Sequence, residues 1–189
     1  MAKQGLLLII SGPSGVGKTT ITHEVERRLG AVFSVSVTTR APAAGDVDGQ
    51  DYYFIDRTQF ETMRAAGDLL EWAEVFGNCY GTPRKPVEQA IAAGQVMILE
   101  IDVQGAIQIK KLIPQTLAIF VLPPSEEVLL QRLRRRQRED EATIQRRFAK
   151  AKDEIALAKT CRAYDHFIVN DKLDAAVDEA ITLVQNARR

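Results

Sequence analysis

The chain has 189 residues, 46% of them apolar and 26% charged, the length and balance of one globular domain with room for inserted parts. A chain of this size buries about 70% of its unfolded surface, so neither disulfides nor a structural metal are required to hold it. With 25 basic residues against 25 acidic ones the formal net charge is zero, which excludes a bulk field for nucleic acid or an anionic membrane and leaves anion binding to local placement.

Leu6–Ile10 is a continuous apolar run bounded by Gly and Pro, the pattern of a strand buried on both faces. Residues 18–29 read as a helix ended near Gly30, and 32–39 alternate like a strand with one buried face. Residues 40–51, rich in Gly, Pro and Asp, read as loop; 52–55 as a short strand, 57–67 as a helix stopped at Gly67, and 69–75 as a further strand. Residues 35–82 thus form a small mixed sheet inserted into a larger pattern. The larger pattern resumes with a helix over 86–94, a buried strand over 95–101, a helix over 103–113 and a buried strand over 117–122. Ser125 is placed to cap the Arg-rich helix that follows. Ile144, Phe148, Ala151, Ile155 and Ala158 form an apolar stripe at helical spacing, 166–169 a last strand, and 174–187 a closing amphipathic helix. Apolar strands separated by helices predict an α/β fold with a parallel sheet. Cys79 and Cys161 lie far apart and do not cluster with His23 or His166, which reads as inert thiols rather than a zinc site. The first apolar run is shorter than the ~7–15 residues of a signal-peptide core, and no later run nears the ~20 of a membrane span. A soluble cytoplasmic chain is expected.

Gly12, Gly17, Lys18 and Thr19 match G-x-x-x-x-G-K-[ST], between a buried strand and a helix. The glycines let the backbone curl so that several N–H groups face one oxyanion, and the helix N-terminus adds partial positive charge. Gly12, Pro13, Ser14, Gly15, Val16, Gly17, Lys18, Thr19 and Thr20 are therefore the candidate ATP site. Lys18 reaches β- and γ-phosphates, and the Thr19 hydroxyl ligates Mg²⁺ beside them. The acceptor of the phosphoryl group is not named by this loop. Within the insert, Ser36, Arg40, Tyr52, Glu71, Tyr80 and Thr82 suit an anionic, aromatic, hydrogen-bonding ligand. Each also has a plain structural reading: core-edge tyrosines, a solvated Arg40, or a Glu71 that faces water while Trp72 packs inward.

The blocks ISGPSGVGKTT, FSVSVTTRAPAAGDVDGQDYYF, LLEWAEVFGNCYGTP, LEIDVQGA, FVLPPSEEVLLQRL and IVND, in order and with compatible spacing, resemble the guanylate kinase family over almost the whole chain. The resemblance implies a P-loop NTPase-type core (1–34, 83–125 and 161–189), a GMP-binding insert (35–82) and a helical lid with its following helix (126–160). It implies transfer of the γ-phosphoryl of ATP to GMP, with dGMP as a second acceptor and Mg²⁺ as cofactor. It assigns Ser36, Glu71, Thr82 and Glu100 to the guanine base, and Arg40, Tyr52 and Tyr80 to the GMP phosphate. Arg132 and Arg136 match lid arginines, Arg147 a phosphate-reaching arginine after the lid, and Asn170 a position near adenine. With Lys18, the arginines at 40, 132, 136 and 147 are the implied catalytic set. No nucleic-acid or membrane partner is implied; monomer and homodimer both remain open.

Two features depart from the family pattern. Where it has Arg-x-Pro-Arg-x-Gly, this chain has Arg40-Ala41-Pro42-Ala43-Ala44-Gly45, so a second arginine is replaced by Ala43. Where the lid has Arg-Gly, this chain has Arg136-Gln137. Glu100 and Asp102 alternate at the end of a buried strand, where ligands of open α/β sheets bind. Asp102 is either part of a Mg²⁺ shell, through water, or a cap of the next helix. Arg132 and Arg136 lie one turn apart, an arrangement suited to closing on phosphates or to a solvated face. The readings that stand beside the kinase are a related P-loop kinase with another small phosphate acceptor, and a non-catalytic interaction module. The intact loop at 12–19 counts against the module.

Overall fold

The computed structural model describes residues 4–75, 77–135 and 140–188. In chain order the first elements are β1 (Leu6–Ser11), α1 (Lys18–Leu29), β2 (Val32–Phe33), β3 (Val37–Thr38), β4 (Tyr53–Phe54), α2 (Arg57–Ala66), β5 (Leu69–Val75) and β6 (Asn78–Pro83). They are followed by α3 (Arg84–Ala92), β7 (Val96–Glu100), α4 (Val103–Leu112), β8 (Leu117–Leu122), α5 (Glu126–Arg135), α6 (Glu141–Thr160), β9 (His166–Val169) and α7 (Leu173–Ala187).

Five strands form a parallel sheet in the order β2-β7-β1-β8-β9. Its apolar runs are continuous because both faces are covered. Leu8, Ile10, Ile98, Ile119 and Val121 face a cluster with Val25 of α1 and Val177 and Val184 of α7. Leu7, Ile9, Met97, Leu99 and Ala118 pack against Val87 of α3 and Ile109 of α4 on the other face. Fully burying each such side chain contributes about 1.5–3 kcal/mol, which fixes β1 at the sheet centre and so the loop that leaves it.

A second, mixed sheet has the order β4-β3-β6-β5, with β3 parallel to β4 and β6 antiparallel to both β3 and β5. Val37, Phe60, Leu69 and Cys79 make its own small core. The helix α2 covering it is held at its start by a capping box, Asp56 accepting from the Gln59 N–H while the Gln59 side chain returns to the Asp56 N–H.

Three expectations need correction. Residues 32–39 are not one strand: Val32–Phe33 pairs with β7 in the large sheet, and Val37–Thr38 belongs to the small one. Alternation reports a half-buried face and is indifferent to which sheet supplies the partner. The central strand of the small sheet, β6, is absent from the sequence pattern because Asn78, Gly81 and Pro83 are weak strand formers. The helix expected from Pro86 begins at Arg84. Ser125 does cap α5, its hydroxyl accepting from the Val128 N–H at 3.2 Å.

Candidate active site

The large sheet delivers its functional side chains at one end. Pairing of Ile10 with Glu100 sets the end of β7 beside the exit of β1, and the chain then turns through Gly12, Gly15 and Gly17, all at positive φ. Two of these glycines are required for a second reason. A Cβ on Gly12 would lie 2.5 Å from the Val121 carbonyl oxygen, and one on Gly17 2.6 Å from the Asn170 amide nitrogen. The Lys18 ammonium donates to the carbonyls of Gly12 at 2.7 Å and Pro13 at 3.2 Å, folding over its own loop.

Asn170 and Arg132 brace that loop from outside. The Asn170 amide donates to the Val16 carbonyl at 2.8 Å; Arg132 donates to the same oxygen at 3.3 Å and to the Asn170 carbonyl at 2.9 Å. Asn170 is buried, so its side chain holds the loop. From α6, Arg147 donates to the Ser14 hydroxyl. Arg136 lies outside the described residues.

The Thr19 hydroxyl donates to Glu100 Oε1 at 2.9 Å, while Glu100 Oε2 is buried with no partner. An orphaned buried carboxylate oxygen beside a P-loop hydroxyl fits a Mg²⁺ that keeps several waters and takes its other ligands from substrate phosphates. Among the described residues no group of three or more His, Cys, Asp or Glu could hold a metal by itself, so the phosphates would be needed. Asp102 does cap α4, accepting from the Gly105 N–H at 2.9 Å, and also lines the cavity described below.

The small sheet supplies the opposite wall. Antiparallel pairing sets Glu71 opposite Thr82 and Ala73 opposite Tyr80, so Glu71, Ala73 and Tyr80 share one face. Trp72 takes the other face, 38% exposed under the Arg64 guanidinium at 4.8 Å. Glu71 is the inward residue of the pair, only 5% exposed. Its Oε1 accepts from the Thr82 hydroxyl at 2.6 Å, and Thr82 is fully buried. Burial, with help from the negative charge of Asp102, pushes the Glu71 carboxyl up to about 7 despite the Thr82 bond. Gly105 of α4 presses on it: a Cβ there would sit 2.5 Å from Glu71 Oε2.

Arg40 lies over the rings of Tyr52 and Phe54, at 5.4 and 5.6 Å, and donates to Asp46 at 2.8 Å. The Tyr52 and Tyr80 rings meet edge-on at 5.8 Å. Asp46 also accepts from the Ala43 N–H at 2.7 Å; that bond and the Arg40 guanidinium hold its carboxyl below the ordinary range.

The two walls enclose one cavity of about 370 Å³, lined by Gly12, Ser14 and Lys18 on one side, Ser36, Tyr52, Glu71 and Tyr80 on the other, and Glu100 and Asp102 between them. An adjoining cavity of about 740 Å³ brings Arg40, Arg146, Arg147 and Lys150 around Ser14 and Tyr80, with Glu154 as the acidic member. Sequence reasoning missed Arg146, Lys150, Glu154, Asp46 and Gly105. A signal for the α6 residues was present: Thr143, Arg147, Lys150 and Glu154 run at helical spacing beside the apolar stripe.

The guanylate kinase family model matches residues 4–187. The chain belongs to the guanylate kinase family. A guanylate kinase of Carboxydothermus hydrogenoformans is 50% identical over 93% of this chain and 85% of the relative. One of Gloeobacter violaceus is 53% identical over 91% of this chain and 83% of the relative. The crystal structure of guanylate kinase from Anaplasma phagocytophilum superimposes with a TM-score of 0.80 at 35% identity, covering 98% of this chain and 87% of that one. Family membership accounts for the parallel core with its mixed second sheet. No helix among the described residues is long and apolar enough to cross a membrane.

Proposed function

We propose that this chain transfers the γ-phosphoryl group of ATP directly to GMP, or to dGMP, releasing ADP and GDP. The observation that carries the reading is the shared cavity, with a triphosphate loop on one wall and a buried carboxylate framed by tyrosines on the other. Guanine presents two adjacent donors, N1–H and the 2-amino group, which Glu71 accepts. Adenine has an acceptor at N1 and no 2-amino group, so it would leave a buried carboxylate unpaired, at a cost of about 1–3 kcal/mol or more. Arg40, Tyr52 and Tyr80 would take the GMP phosphate, and Ser36, which lines the same cavity as Glu71, would join it at the base. The Thr82 hydroxyl, aimed at Glu71, orients the carboxylate.

In the transfer a phosphate oxygen of GMP bonds to the γ-phosphorus as the bond from that phosphorus to the β,γ-bridging oxygen breaks, leaving its electrons on ADP. Such a step needs positioning and charge neutralisation more than covalent chemistry. Lys18 and the loop N–H groups hold the donor phosphates, Arg147 closes on Ser14 from α6, and Arg132 with Asn170 keeps the loop in shape. Thr19, with Asp102 through water, would hold Mg²⁺, which neutralises charge on the phosphates when bound; Glu100, assigned to the base by resemblance, would join them, since it accepts from the Thr19 hydroxyl and has an unpartnered buried oxygen. Closure over the phosphates would exclude water, the competing acceptor. A cytoplasmic location goes with ATP as donor.

The test is coupled ADP release with GMP, dGMP, AMP, CMP and UMP in turn. Turnover with GMP and dGMP, and only background with the others, is expected. Turnover with AMP in place of GMP overturns the reading.

A further inference from the structure

Lys150 stands in both cavities. It lines the 370 Å³ space with Lys18 and Glu71, and the 740 Å³ space with Arg40 and Arg147. On α6 it lies three residues after Arg147, which already touches Ser14 of the loop, so both side chains leave the same helix face. Four residues further on, Glu154 lines the same cavity as Lys150 and Lys18. Its Oε1 is 3.8 Å from the Lys150 ammonium, and its carboxyl feels the charges of both Lys150 and Lys18 while burial raises it overall. Lys18, Lys150 and the partly buried Glu154 thus line one cavity. On the acceptor side, residues 41–46 (APAAGD) carry no cation, and Arg40 is already bonded to Asp46.

We propose that Lys150 is a phosphate-binding residue of the transfer site: its ammonium leaves Glu154 for the acceptor phosphate and spans the gap between the Arg40 side and the Lys18 side. The inference rests on the ATP:GMP reading and adds to it a residue and a role. An ammonium suits the place because it is a compact charge on a flexible stem with three donors. Its contact with Glu154 is long at 3.8 Å and its own side chain is 41% exposed, so a dianionic phosphate, a stronger partner than one carboxylate, competes for it. The plain alternative is a solvated helix lysine with an i,i+4 partner, which would leave binding untouched.

Lys150→Ala, Lys150→Met and Lys150→Arg distinguish the two, with Lys152→Ala as control. Lys152 lies on the same helix but points to Glu126 and the Phe148 ring. Loss of one charged hydrogen bond predicts a roughly 10- to 100-fold rise in the GMP KM for the Ala and Met variants. Guanosine affinity should be unchanged, since it lacks the phosphate, and the Arg variant should recover most of the loss. The side chain is 41% exposed, so melting temperatures should match that of the unaltered chain. An active chain whose GMP KM and kcat survive Lys150→Ala, or whose guanosine affinity falls as far as its GMP affinity, overturns the inference alone. An unaltered chain that does not phosphorylate GMP overturns the functional reading and this inference with it.

Discussion

Under the proposed function, Glu71 would link pH to base recognition through a single carboxyl. It is 5% exposed and burial pushes its carboxyl up to about 7; guanine, with two donors, would bind the ionised form. Affinity for the base should therefore be nearly full at about pH 8 and fall to about one-tenth of that at about pH 6, since protonation removes the acceptor tenfold per unit. The GMP phosphate itself titrates near pH 6, so guanosine is the cleaner ligand, measured calorimetrically across this range. Glu71→Gln has no proton to exchange: its guanosine affinity should be low and flat with pH, with GMP weakened by roughly 30-fold or more and ATP little changed. Stability should move the other way. The folded carboxyl holds its proton more tightly than the unfolded one, ordinarily near 4.5. Stability is thus full below that value and is lost as pH rises to about 7, by up to about 3 kcal/mol. Without ligand, Glu71→Gln should melt higher than the unaltered chain at about pH 8 and equal to it near pH 4. A pH-independent guanosine affinity in the unaltered chain, or an unchanged one in Glu71→Gln, refutes the assignment of Glu71 to the base.

Two further substitutions test the surroundings. Gly105→Ala places a Cβ 2.5 Å from Glu71 Oε2, so the carboxylate must shift; the GMP KM should rise severalfold with the ATP KM unchanged, and equal effects on both would contradict a contact through Glu71. Ala43→Arg adds a cation to the loop around Arg40 and should lower the GMP KM by about tenfold. Because it acts on the same phosphate as Lys150, its gain should be larger in a Lys150→Ala background; additive effects would indicate independent sites.

Residues 6–11, 96–100 and 117–122 were legible in the sequence because burial on both faces leaves continuous apolar runs. The loop Gly12–Thr19 was legible because its chemistry is local, each glycine serving a turn within a few residues. The small sheet was half legible. β5 alternates plainly, but its partner β6 contains Gly81 and Pro83, and its place is set by pairing with two strands at once. Trp72 and Glu71 show the limit of residue type as a guide: the larger apolar ring faces out and the carboxylate faces in, because the cavity lies on the Glu71 side. Asn170 was singled out only by resemblance, as a residue near adenine; its bond to Val16 follows from packing β9 beside β8. Gly105 was unreadable for the same reason: nothing local marks a glycine that yields space to a carboxylate 34 residues away. Lys150 shares a helical spacing with Arg147 and Glu154, but which cavities that helix face meets is set only by tertiary packing.

Transfer of the γ-phosphoryl of ATP to GMP within one shared cavity can be followed by incubating the chain with Mg²⁺, ATP radiolabelled at the γ-phosphate and GMP, then separating the nucleotides. Label in GDP, unlabelled ADP in equal amount, and no transfer when AMP replaces GMP are expected. Label recovered only as inorganic phosphate, or carried onto AMP and not onto GMP, would overturn the proposed function.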